Sequence, residues 1–167
     1  NLNKQGGLKV NLGTCEKVQE SPLFKWATEK KGFKNKNGEV IILNKLDGDS
    51  EVLLGLGDKE ELTIEKLRVA FFNLAEALKK EKEYVVDIHM PDFGLCGNKS
   101  LQAVYEGFSQ AEYSFSKKSK EEEKEEKHFT VNYTSDKGKE KRLQEGLKHI
   151  EAKMAGIYFT RELVNET

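Results

Sequence analysis

The stretch from Val52 to Lys80 constrains the fold most: an apolar run, Val52-Leu53-Leu54, a tight Gly55-Leu56-Gly57-Asp58 turn, then a long amphipathic segment from Ile64. A strand without polar alternation is covered on both faces, as in a parallel or mixed sheet flanked by helices. The run therefore predicts a central strand. Thr63 can accept a hydrogen bond from a free amide of the first helical turn, and Ile64, Leu67, Phe71, Leu74 and Leu78 recur at steps of three and four. That stripe has to face a core.

Similar signals place the other elements. Leu8, Val10 and Leu12 alternate with Lys9, Asn11 and Gly13, the pattern of a half-buried strand. Ser21-Pro22 opens a short helix, because Ser caps the first turn and Pro at the first helical position has no N–H to leave unpaired. Gly32 is its natural left-handed stop, and Trp26 is expected against the sheet. Val40-Ile41-Ile42-Leu43 again lacks alternation and predicts a second inner strand. Tyr84 to Met90 reads as a strand ended by Pro91-Asp92-Phe93-Gly94.

Ser100 is the expected cap of a helix that turns Leu101, Val104, Tyr105, Phe108 and Ala111 inward. Lys117 to Lys127 is almost wholly Lys and Glu, whose i,i+4 pairs give only a few tenths of a kcal/mol each, so a mobile surface connection is expected. Phe129, Val131 and Tyr133 then alternate with polar residues as a strand with one wet face. A last helix is expected from about Gly138 to Val164, roughly 40 Å long at 1.5 Å per residue, with its end projecting. Strands alternating with helices make an α/β domain of three layers around a mixed sheet.

At 167 residues the chain is one domain's worth. Lys and Arg number 28 against 29 Asp and Glu, so no global positive field draws a polyanion. Cys15 and Cys96 match no metal or redox spacing, and two reduced thiols in a reducing compartment are expected. No basic leader with an apolar run opens the chain, and no apolar stretch approaches the roughly 18 to 20 residues of a membrane span. The expectation is a soluble, cytoplasmic protein without a membrane partner.

Each candidate site has a plainer reading beside it. Gly55-Leu56-Gly57 after a strand has the start of a dinucleotide turn, but Glu60 stands where the third Gly belongs, and Asp58, Glu60 and Glu61 would repel a pyrophosphate. A close turn for strand-to-helix packing is the favoured reading. Asp87 and His89 leave one face of a strand with Asp92 nearby, which could hold a metal; no second His or Cys is close in sequence, and hydrogen-bonded structure is favoured. His128 and His149 have no local partners and read as a loop and a helix-surface residue. No Ser sits in a Gly-x-Ser-x-Gly elbow, and neither Cys neighbours a His. Lys25, Lys30, Lys31, Lys34 and Lys36 form a basic cluster that Glu29 interrupts and only Trp26 accompanies, so a solvated face is favoured over a nucleic-acid interface.

Three segments carry a family resemblance. VLLGLGDKEELTIEKLRVAFFNLAEALKK from Val52 to Lys80 resembles the strand, turn and Leu-Thr-capped helix in the N-terminal domain of the leucyl (cytosol) aminopeptidases. LQAVYEGFSQAEYSFSKKS is similar to a second family segment, with Glu106, Gly107, Tyr113, Phe115, Lys118 and Ser119 in register. GIYFTRELVNE from Gly156 to Glu166 is similar to the segment where the family's chain leaves its first domain. The likeness spans most of residues 33 to 166 and is weakest before Phe33; Glu162 replaces the usual Asp, and Thr167 stands where Pro is common.

The resemblance implies a macro-like fold for residues 1–155 and, over 156–167, the end of a linker helix leading to a C-terminal catalytic domain. In the family that absent domain holds two divalent metals, Zn or Mn, and an Asn-Thr-Asp-Ala-Glu-Gly-Arg motif that this sequence lacks. The implied parent is a homohexameric peptide hydrolase in which the N-terminal domain supports assembly and access. No catalytic, cofactor-binding or metal-binding residue carries over to this chain. Two further readings stay open: a macro-type module for an ADP-ribose-like ligand, and a protein or nucleic-acid interaction domain using the Lys25 to Lys36 face.

Overall fold

The structure is a computed structural model that describes residues 8–44, 50–90, 97–118, 129–135 and 158–161. Its elements are β1 (Leu8–Leu12), α1 (Glu16–Gln19), α2 (Pro22–Lys31), β2 (Val40–Leu43), β3 (Glu51–Leu54), α3 (Ile64–Glu81), β4 (Val85–Met90), α4 (Gly97–Lys118), β5 (Thr130–Ser135) and β6 (Tyr158–Arg161), with a single 3-10 turn at Lys59–Glu61 before α3. The strands form one sheet in the order β2-β3-β1-β4-β5-β6. β2 runs antiparallel to β3, and the remaining neighbours are parallel. The sheet is mixed and the class is α/β, as expected.

Local signals explain the helix ends. Ser21 Oγ accepts the Phe24 amide at 3.2 Å with Pro22 at the first position, and Gly32 closes α2 at φ 70°. Thr63 Oγ1 likewise accepts the Lys66 amide at 3.1 Å at the start of α3. The stripe of α3 is buried at Leu67, Ala70, Phe71, Leu74, Ala75 and Leu78.

Two cores lie on the two faces of the sheet. α3 and α4 cover one face, where Val10, Val52, Val86, Ile88 and Val131 meet Phe71, Leu74, Val104 and Phe108. On the other face a smaller cluster of Ala27, Phe33 and Leu53 takes in Trp26, Phe24 and Ile41 from α2 and β2. Trp26 packs there as expected, with the Lys31 ammonium 5.7 Å from its ring centroid.

Several expectations need correcting. Val40–Leu43 is an edge strand, half-buried along its length, not an inner one. Its lack of alternation has another cause: Val40 and Ile42 pack on the α3 side while Ile41 packs on the α2 side, so both faces are partly covered although no described strand pairs with its second edge. Val52–Leu54 is buried on both faces but lies second from the edge, because β1 and β4 take the middle. Ser100 is not a cap; α4 starts at Gly97, and Ser100 lies within its first turn, 2% exposed. Nothing in Gly97-Asn98-Lys99 stops a helix, so the start moves back by a turn.

Lys117 and Lys118 end α4 instead of starting a loop, and 119–128 lie outside the described residues. The expected helix from Gly138 to Val164 is overturned at its far end, where Tyr158–Arg161 pair in parallel with Thr130–Tyr133. Tyr158, Phe159 and Thr160 favour a strand, so this part of the supposed linker helix belongs to the sheet. Residues 136–157, and the expected turn at Pro91 to Gly94, lie outside the described residues.

Candidate functional site at the carboxyl ends of the parallel strands

In α/β sheets ligands settle beyond the carboxyl ends of the strands, which here are the exits of β1 and β3. Gly13 follows β1, and its amide donates to Leu54 O of β3 at 2.8 Å. The loop between α2 and β2 lies across both exits. Asn35 Nδ2 donates to Gly13 O at 3.1 Å, Asn35 Oδ1 accepts the Leu56 amide at 3.3 Å, and Asn35 O accepts the Gly57 amide at 2.8 Å. Gly55 N donates to Glu39 O at 2.7 Å.

All three amides of Gly55-Leu56-Gly57 are therefore taken by the protein itself, and none is left to cradle a phosphate. A Cβ on Gly55 would lie 2.4 Å from Lys36 O, so only glycine lets this loop approach. The turn is a packing device, in agreement with the favoured sequence reading. Asn35 holds φ 57°, a left-handed conformation that Asn tolerates better than most residues.

Asn35→Ala should lower the unfolding free energy by about 2 kcal/mol, from two lost hydrogen bonds and a strained Ala. Urea unfolding measures this; a loss under about 0.5 kcal/mol would show that the side chain does not hold the loop.

The second polar cluster lies on the sheet face away from α3 and α4. Cross-strand partners run Glu51, Lys9, Asp87, Asn132 and Thr160 from β3 to β6, a row of polar residues across the sheet. Asn132 Nδ2 donates to Asp87 Oδ1 at 2.8 Å, while buried Asn11 donates to Glu51 Oε1 at 3.0 Å and to Val52 O at 3.1 Å. Lys9 and His89 are exposed.

Asp87 and His89 are thus on one face, as their spacing required, and the Asp87 carboxylate accepts a hydrogen bond from the Asn132 amide. This pair offers too few ligands for a two-metal centre. Among the described residues no three or more His, Cys, Asp or Glu side chains gather to hold a metal. Asp92, Cys96, His128 and His149 lie outside the described residues. Cys15 is half-buried at the N-cap of the one-turn helix α1. Lys25, Lys30, Lys31, Lys34 and Lys36 are exposed on α2 and the loop after it, and the Lys34 and Lys36 amides both donate to Glu39 Oε1.

Sequence reasoning missed Asn11, Asn35 and Asn132. The run Lys34-Asn35-Lys36-Asn37-Gly38 has the composition of a turn, but nothing in it tells which distant amides its side chains satisfy.

Residues 21–121 match the model of the cytosol aminopeptidase family, N-terminal domain. The chain belongs to this family. It is 34% identical to the "Probable cytosol aminopeptidase" of Treponema denticola, across 99% of this chain and 35% of that protein. It is 35% identical to the protein of the same name from Clostridium tetani, again across 99% of this chain and 35% of the relative. The chain thus spans about a third of the length of these aminopeptidase relatives, which implies a further, C-terminal domain in them.

Solved structures agree on the fold of this cytosol aminopeptidase domain. The "Bottromycin maturation enzyme BotP" superposes with a TM-score of 0.57 at 16% identity, covering 89% of this chain and 31% of that one. The Oceanobacillus iheyensis macrodomain with MES bound gives 0.58 at 15% identity, covering 90% of this chain and 88% of that one. At such identities the likeness is one of fold, and the fold is macro-like. No helix among the described residues is long and apolar enough to cross a membrane.

Proposed function

We propose that this chain is the non-catalytic N-terminal domain of a leucyl aminopeptidase, an exopeptidase that removes N-terminal residues from peptides with two divalent metals, Zn or Mn, bound in a C-terminal domain. The observation that carries this reading is the family match over residues 21–121 in relatives about three times as long. The domain supplies no catalytic, cofactor-binding or metal-binding residue, and it supports assembly of a cytoplasmic homohexamer and access to the active site. In this reading residues 1–155 are the macro-like domain and 156–167 lead toward a C-terminal catalytic domain, with Tyr158–Arg161 still paired to the sheet.

The isolated chain, given Zn or Mn and leucyl p-nitroanilide, should show no turnover above buffer. Turnover that copurifies with the folded chain would overturn the proposal.

The macro-like fold raises a second reading, an ADP-ribose-like ligand, since one similar structure is a macrodomain "with ADP". Against it, the amides at the β3 exit are already bonded within the chain. Calorimetry with ADP-ribose at millimolar concentration should be flat, and a saturable heat would revive that reading. Retention on DNA that weakens steeply with salt would instead favour an interface at the Lys25 to Lys36 face.

A further inference from the structure

Asn37-Gly38 is the one Asn-Gly pair in the sequence, and it lies in the loop that crosses the β1 and β3 exits. The fold calls for both residues. Gly38 holds φ 89°, and a Cβ there would fall 2.5 Å from Asn73 Nδ2, so a side chain at this position is strained. Asn37 Nδ2 donates to Lys66 O at 3.0 Å and ties the loop to α3, as does Asn73 Nδ2, which donates to Gly38 O at 3.2 Å.

The same pair is chemically labile. With no side chain at residue 38 to obstruct it, the Gly38 nitrogen can lose its proton to a solvent base and attack Asn37 Cγ. The new Cγ–N bond closes a succinimide while the Cγ–Nδ2 bond breaks, and Nδ2 leaves as ammonia with a proton from water. Water then adds to either imide carbonyl and opens the ring, which leaves aspartate or β-linked isoaspartate at position 37.

Three features of the closed loop oppose that attack. The Gly38 N–H donates to Gly55 O at 2.9 Å, so the nucleophile's proton is held within the chain. The leaving amide is held in turn by Lys66 O. Negative charge would develop on Asn37 Oδ1, which is buried and has no hydrogen-bond partner among the described residues, so no donor there would stabilise it.

We propose that Asn37 is a deamidation site guarded by the closed loop: the reaction runs from an opened loop, and its product cannot close the loop as before. Aspartate at position 37 would set a carboxylate against Lys66 O where the amide donor had been. Isoaspartate would add a methylene to the backbone between Asn35 O, which accepts the Gly57 amide, and Gly38 N, which donates to Gly55 O. The two bonds could then not keep their register. This latch is independent of what the parent protein hydrolyses.

The test incubates the chain at mildly alkaline pH, folded or in guanidinium chloride, and follows conversion of Asn37 by peptide mass spectrometry. Unfolded, Asn37 should convert before any other Asn. Folded, it should convert at least about tenfold more slowly, by the factor that opening the loop imposes. Asn73→Ala, which releases Gly38 O, should convert about fivefold faster than wild type when folded and at the same rate when unfolded. Should that variant not fold, Asn35→Ala, which cuts the side-chain bonds to Gly13 and Leu56, takes its place with the same expectation. The converted chain, separated by anion exchange, should unfold at a lower urea concentration than its parent. Equal rates in the folded and unfolded wild type, another Asn converting first in the unfolded chain, a folded variant no faster than wild type, or a converted chain as stable as its parent would each overturn the proposal.

Discussion

Phe108→Ala is expected to lower the unfolding free energy by about 3 to 5 kcal/mol, the range for deleting a large buried aromatic side chain. Phe108 is fully buried between the helical layer and the sheet, with its ring centroid 6.1 Å from that of Phe71 on α3 and 5.1 Å from that of Phe129 beside β5. Removing it opens a cavity whose walls are two helices and a strand, and these cannot collapse together. Domains of this kind are stable by only about 5 to 15 kcal/mol, so the variant would sit near the edge of folding. The urea midpoint should fall with an unchanged slope. A loss below 1 kcal/mol would mean that α4 does not pack on the sheet as described.

Gly107→Ala should have the second largest effect, about 1 to 3 kcal/mol of destabilisation. A Cβ at Gly107 would lie 2.8 Å from Arg68 O, 2.8 Å from Phe72 N and 3.0 Å from the Phe71 carbonyl carbon. All three are backbone atoms of α3, so no side chain can swing aside and the helices must part. Opposing this, Ala is favoured over Gly inside a helix by up to about 1 kcal/mol. Sterics should win, because parted helices also loosen the contact at Phe71 and the Arg68 to Glu106 ion pair, 2.6 Å at Nε. A thermal melt at constant ionic strength reads the sign directly. A variant as stable as wild type would show that α3 and α4 stand further apart than this contact requires.

Both residues lie in segments that carried the family resemblance, yet the sequence marked them unequally. Phe108 belongs to a periodic apolar stripe, Leu101, Val104, Tyr105, Phe108 and Ala111, which is legible as a core face without any partner being known. Gly107 is different: a glycine in a helical pattern says only that something comes close, not what. The candidate site divides similarly. The charges at Asp58, Glu60 and Glu61 argued against a phosphate turn, and the structure adds the physical occupant, Asn35, from 21 residues upstream of Leu56.

The misreadings share one cause. Uniform apolar runs at Val40–Leu43 and Val52–Leu54 look alike in sequence, yet one is an edge strand and the other an interior one. The helix expected from Gly138 to Val164 takes in Tyr158–Arg161, which pair with β5 instead. Ser100 has the residue type of a cap, but a cap depends on where the backbone turns, and α4 already begins at Gly97.

Taken alone, the amino-acid order determined whatever acts within a few residues along the chain: Ser21 and Thr63 closing the first turns of α2 and α3, Gly32 ending a helix, the stripe of α3, and the α/β class. Tertiary structure alone decided the strand order, the place of β2 at the end of the described sheet, the seat of Gly107 against α3 and the loop across the β1 and β3 exits. Each of these joins residues from separate elements of the chain, and such pairings are selected by the simultaneous packing of all the layers, which no local signal encodes.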